Sequence, residues 1–184
     1  RYLHVVAIAQ IALYRGDPAG ALALLSAAWP RLVASMSLYV QNFRVTLRHL
    51  RARCALGLLA QSGARISRLR RWRLLQLART EAKRLSSEDV VWAPALARLI
   101  DAGVAAVTDA RSEAAEHLER AAKDLRGLDM MLHAAAADHE RGLLISGDAG
   151  RALRRSAETW MLDARVQRPE RLAAMLVPGF TAGC

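Results

Sequence analysis

Apolar side chains recur along this chain at the three-to-four-residue spacing of a helix face, and short clusters rich in Gly, Pro, Ser or Asp interrupt them. The pattern predicts helices over 2–15, 18–34, 36–60, 66–85, 90–108, 112–126, 129–146 and 149–165, with a short one over 169–177. Turns are expected at Arg15-Gly16-Asp17, Gln61-Ser62-Gly63, Ser86-Ser87-Glu88, Thr108-Asp109, Gly127, Gly147-Asp148 and Arg168-Pro169. Taken in pairs, the helices form hairpins over about 2–34, 36–85, 90–126 and 129–165, followed by a C-terminal cap over 169–180. The expected fold class is all-α, a single array of helical hairpins spanning 1–184.

The longest segment, 36–60, carries two apolar faces. At 100° per residue Met36, Phe43, Leu47, Leu50 and Cys54 share one side, while Leu38, Val45, Ala52, Leu56 and Leu59 are turned well away from it. A helix apolar on two sides needs neighbours on two sides, as in stacked helical layers. Arg44, Arg48 and Arg51 form a stripe between those faces, which predicts that they line an edge or groove.

The turns also repeat. Gly16-Asp17-Pro18-Ala19-Gly20-Ala21-Leu22 aligns with Gly147-Asp148-Ala149-Gly150-Arg151-Ala152-Leu153 at an offset of 131, which places Trp29 on Trp160. An offset of 93 places Asp109 on Gly16, Ala114 on Ala21, Leu118 on Leu25 and Ala121 on Ala28. Pro18 suits a first helical position, where its missing N–H costs little.

Composition agrees with helix. The 53% of hydrophobic residues comes mainly from 37 Ala and 29 Leu, against 11 Val and 5 Ile, and only 5% of residues are aromatic. Two cysteines 130 residues apart, Cys54 and Cys184, make neither a disulfide framework nor a metal cluster, which fits a reducing, cytoplasmic compartment. The most apolar stretches, 2–14 and 90–107, are too short or carry Arg98 and Asp101, so no membrane span is expected. The chain opens on Arg1-Tyr2-Leu3-His4, already in helical rhythm, and is read as a piece of a longer protein.

Charge is unevenly placed. Of the net +10, residues 44–84 hold twelve basic side chains against one acid, Glu81, a balance of +11 that leaves the rest of the chain at −1. Arg44, Arg48, Arg51 and the cluster Arg65, Arg68, Arg70, Arg71 and Arg73 around Trp72 are the candidate partner-binding residues. Guanidinium forks bind carboxylate and phosphate bidentately, so an acidic protein segment is the expected ligand. Nucleic acid is the alternative, weakened because only Phe43 and Trp72 could stack on bases. A solvated or internally salt-bridged face is the bland reading of the same residues.

The Gly16, Ala21, Leu25 and Ala28 spacing resembles the tetratricopeptide repeat, with Ile8, Ala9 and Ala12 where its first helix takes apolar and small residues. Ser156 and Thr159 depart from it, and the unit 36–85 lacks the Gly-Asp turn. Over nearly the whole chain, the run Ala12-Leu13-Tyr14-Arg15-Gly16-Asp17, then Ala21 to Leu25 and Trp29, and the ending Arg171-Leu172-Ala173-Ala174-Met175-Leu176-Val177-Pro178-Gly179-Phe180 look like the C-terminal helical region of large bacterial serine/threonine protein kinases, of the kind found in myxobacteria. That resemblance implies a regulatory or scaffolding segment without catalytic residues, taking a peptide on the first helices of its pairs. The sequence holds no Gly-x-Gly-x-x-Gly, His-Arg-Asp, Asp-Phe-Gly or Gly-Lys-Ser/Thr motif, so no catalytic, cofactor or metal site is expected.

The remaining polar candidates are weak. His133 with Asp129 and Glu140 lacks a second ligand at close spacing, since His139 at i+6 lies on another face, and the three are expected to be polar residues at the surface of an Ala-rich helix. Cys54 is expected to be a buried, inert thiol. Trp29 and Trp160 are expected in the core, and Trp72 partly exposed.

Overall fold

The computed structural model describes residues 2–35, 38–62 and 65–180. Among them are nine α-helices and no strand: α1 (Tyr2–Tyr14), α2 (Pro18–Ala34), α3 (Gln41–Ser62), α4 (Arg68–Ser86), α5 (Ala93–Val107), α6 (Arg111–Gly127), α7 (Met131–Leu144), α8 (Gly147–Asp163) and α9 (Pro169–Leu176). Each helix packs on the next in sequence. In addition α1 touches α3, α3 touches α5, and α9 returns against α1, α3, α7 and α8.

Local chemistry sets most of the boundaries. Asp17 caps α2 by accepting from the Gly20 amide at 2.8 Å, and Pro18 takes the first helical position. Ser67 caps α4 through the Arg70 amide. Four helices end in one geometry, in which a left-handed residue is followed by an amide bonded to the carbonyl five residues back. The left-handed residues are Gly16, Asp109, Asp129 and Arg165, and the bonds are Asp17 to Ala12, Ala110 to Ala105, Met130 to Leu125 and Val166 to Met161, at 2.8–2.9 Å. Asp tolerates that conformation through its short polar side chain, which is why the alignment of Asp109 on Gly16 is structurally sound.

Several sequence expectations are corrected. The helix expected over 36–60 starts at Gln41, and Met36 lies outside the described residues, as do Gly63 of the expected turn and Cys184. Residues 90–92 form a turn before α5, and Asp129 and Met130 form one before α7. The offset of 131 also fails, because Gly147 and Asp148 make the first turn of α8 and do not connect two helices. The buried positions of α8, Gly150, Ala157 and Met161, instead match Ala21, Ala28 and Leu32 of α2, two residues out of register with the Gly-Asp alignment. Trp160 is therefore 36% exposed and lies outside the core.

α3 is the central element. Eleven of its residues are buried, from Val45 to Leu59, on both expected faces. Burial of a Leu contributes roughly 1.5–3 kcal/mol, and α3 buries Leu47, Leu50, Leu56, Leu58 and Leu59. α7 is also enclosed, with every residue from Ala134 to Glu140 buried. Two backbone approaches fix the ends. Gly142 and Gly150 bring α7 and α8 so close that a Cβ on Gly142 would lie 2.8 Å from the Gly150 carbonyl oxygen. At Gly103 of α5, a Cβ would lie 2.4 Å from the Pro178 carbonyl oxygen, so the Pro178-Gly179 segment rests directly on that helix.

Candidate functional site: an exposed arginine face and a buried basic cluster

The stripe on α3 is occupied internally. Glu88, in the loop after α4, accepts from Arg44 Nε at 2.6 Å and Nη2 at 2.5 Å, and from Arg48 Nη1 at 2.9 Å. Glu81 of α4 accepts from Arg51 Nη1 at 3.1 Å and pairs with Arg48 and Arg84. Arg51 also stacks on Trp29, 4.3 Å from the ring centroid. Hydrogen bonds from Arg44 hold the Glu88 carboxyl below its ordinary range, whereas burial pushes Glu81 up against the pull of three arginines. Arg44, Arg48 and Arg51, expected to line an edge or groove, are thus paired within the fold by two carboxylates, the internally salt-bridged alternative, and Glu88 falls just outside the basic window read from sequence.

The face expected to take a peptide, on the first helices of the pairs, is partly occupied by the chain itself. α9 lies against α1, α3 and α7, and Pro178-Gly179 lies on α5 at Gly103.

The cluster around α4 behaves differently. Arg65, Arg68, Arg70 and Arg73 are exposed and make no ion pair among the described residues. Trp72 is 57% exposed and Leu69 56%, one helical turn apart on α4. Arg79 and Lys83 continue the exposed basic surface along the helix. Among the described residues Arg71 alone of the cluster is engaged, donating to the Val107 carbonyl at the end of α5. The face combines free guanidinium groups, the weakly hydrated cation most suited to carboxylate forks, with a flat aromatic surface.

Sequence reasoning missed a second group. Arg53, one of the twelve basic residues, is 4% exposed, and its Nη1 donates to the Met175 carbonyl of α9 at 3.1 Å. No acid pairs with it among the described residues. Burial lowers its guanidinium to about 10. His49, one turn earlier, is 5% exposed, and its ring lies 6.4 Å from that of His133 on α7. Burial, reinforced by the Arg53 charge, holds His133 down to about 4 and His49 well below its ordinary value.

The trio of Asp129, His133 and Glu140 does not assemble. Asp129 is the left-handed residue of the α6–α7 turn, His133 faces Arg53, and Glu140 is buried beside His139. His139, set aside in the sequence, bonds Glu140 at 3.1 Å and Glu158 at 3.2 Å, with Arg154 also on Glu158. Burial works against the charged imidazole of His139, but the bond and charge of Glu140, with Glu158, raise it above the ordinary value. Glu140 and His139 are buried and His133 half-buried, contrary to the surface position expected, whereas Asp129 is exposed as expected. Cys54 is fully buried, and burial pushes its thiol up to about 12.

Among the described residues no helix is long and apolar enough to cross a membrane. The chain matches no protein-family model, and no curated protein or solved structure shows significant similarity to it.

Proposed function

We propose that this chain is a non-catalytic interaction module, a tetratricopeptide-like array in a cytoplasmic bacterial serine/threonine kinase, that captures an acidic segment of a protein partner on the α4 face. The single observation behind the binding role is the contrast within one basic window. Arg44, Arg48 and Arg51 are consumed by Glu81 and Glu88, while Arg65, Arg68, Arg70 and Arg73 stand free around an exposed Trp72 and Leu69. An exposed aromatic among unpaired arginines has the chemistry of an interface anchor for a ligand carrying carboxylates and an apolar side chain. The repeat reading is supported by helices that pack in sequence order and by the contacts of α1 with α3 and α3 with α5. The kinase context rests on the sequence resemblance of residues 12–29 and 171–180 alone. Coding sequence upstream of Arg1 tests it directly, since the absence of a kinase domain there removes that part.

The binding role is tested by fluorescence polarisation with a labelled Glu- and Leu-rich peptide and, in parallel, a 20-base-pair DNA duplex, at low and moderate salt. Saturable peptide binding is expected, lost when Arg65, Arg68, Arg70 and Arg73 are replaced by Ala and weakened by Trp72→Ala. Preferential DNA binding, with the steep salt dependence of phosphate contacts, establishes the nucleic-acid alternative instead. Peptide binding unaffected by the four substitutions rejects the α4 face.

A further inference from the structure

Arg53, His49 and His133 line a partly open cavity of about 460 Å³ between α1, α3, α5, α7 and α9. Gln10 and Thr46 complete its polar wall, and no carboxylate lines it. Trp92, Leu96, Leu172 and Leu176 are among the apolar residues of the rest of the wall. The volume lies within the range of small-molecule pockets, and an apolar wall with a few convergent polar groups is their usual composition.

The polar groups are poorly served by the protein itself. Arg53 spends one of its five N–H donors on the Met175 carbonyl, and its buried Nε has no partner among the described residues. The buried Nε2 of His49 is likewise unpartnered. A guanidinium removed from water without a carboxylate costs several kcal/mol, and capping one helix carbonyl does not require it. With Nη1 committed to α9, the Nε–Nη2 edge remains, and its two parallel donors match the two oxygens of a carboxylate. A monoanion is also cheaper to desolvate among leucines than a doubly charged phosphate.

We propose that this cavity binds a small amphipathic carboxylate, its head on the Nε–Nη2 edge of Arg53 beside His49 and His133 and its apolar body against Trp92, Leu96 and α9. The site is separate from the α4 face and stands or falls independently of it.

Calorimetric titration of the whole chain with a panel of acetate, octanoate, dodecanoate, benzoate and indole-3-acetate tests this, with octan-1-ol and inorganic phosphate as controls. One or more of the larger carboxylates is expected to bind saturably, tighter than octan-1-ol by at least tenfold, and to raise the melting temperature. Ligand-induced change in tryptophan fluorescence is expected to vanish in Trp92→Phe. Arg53→Met is expected to lower affinity at least tenfold. Arg53→Lys, which keeps the charge but not the fork, reports on the same contact if the Met variant loses its helical circular dichroism. The proposal is overturned if no carboxylate binds the wild type, if phosphate alone binds, if octan-1-ol binds as tightly, or if both Arg53 variants bind like wild type while folded.

Discussion

Removing the titration of one imidazole should flatten the acid side of this protein's stability profile. His133 is held down to about 4 by burial and by the Arg53 charge, against an ordinary 6.5. Below 6.5 the unfolded chain therefore takes up a proton that the native state refuses. Stability is intact above that value and is lost as the pH falls from 6.5 towards 4. Between pH 7.5 and pH 5.0 the loss from this group comes to about 2 kcal/mol, approaching roughly 3 kcal/mol below pH 4, at 1.36 kcal/mol per pH unit. His49, depressed by the same burial, adds to the loss in the same direction. Buried carboxyls with raised values, Glu81, Asp101, Asp138 and Glu140, act in the opposite direction, as does His139 in the sense that it favours its proton in the fold. Comparing wild type with His133→Gln cancels the contributions of the groups that do not interact with His133. Urea unfolding at the two pH values should show the wild-type midpoint falling further than that of the variant by about 1 M, taking a slope of roughly 2 kcal/mol/M. Equal midpoint shifts in the two proteins would show that His133 is protonated as freely in the fold as in the unfolded chain, and the buried basic cluster would have to be abandoned.

Glu88→Gln should cost about 2 kcal/mol in urea unfolding at neutral pH, because it strips charge-assisted bonds from Arg44 and Arg48 around a carboxylate whose side chain is 6% exposed; a loss under 0.5 kcal/mol marks the pairs as ordinary surface contacts. Gly103→Ala puts a methyl 2.4 Å from the Pro178 carbonyl oxygen and 2.7 Å from Leu56 Cδ1, so the C-terminal segment should lift. Faster amide exchange at Val177 and a loss of about 1–3 kcal/mol are expected, and unchanged exchange across 169–180 refutes the docked position of the tail.

Local signals carried the helices well. Apolar spacing and Pro18 and Pro169 at helix starts act within one or two turns, so a linear reading finds them, while the caps Asp17 and Ser67 came to light with the structure. The two-sided apolar pattern of the α3 segment likewise announced its central place, and the exposure of Trp72 followed from its arginine neighbours. The Gly-Asp recurrence misled at Gly147 because a dipeptide can open a helix as easily as join two, and only the buried stripe of Gly150, Ala157 and Met161 shows the register.

What the sequence by itself determined is the all-helical class, the approximate helix limits and the concentration of positive charge in 44–84. Tertiary structure alone decided what each charge does. Arg51 and Arg53 are two residues apart and therefore about 200° apart on one helix, which sends the first to Glu81 and the second into an interior lined by His49 and His133. Which neighbour stands at either angle depends on α4, α7 and α9, whose contacting residues lie from 30 to 122 positions along the chain from these arginines. Periodicity records the direction in which a side chain points from its own helix; the acid, the cavity or the solvent that meets it is a property of the packed fold.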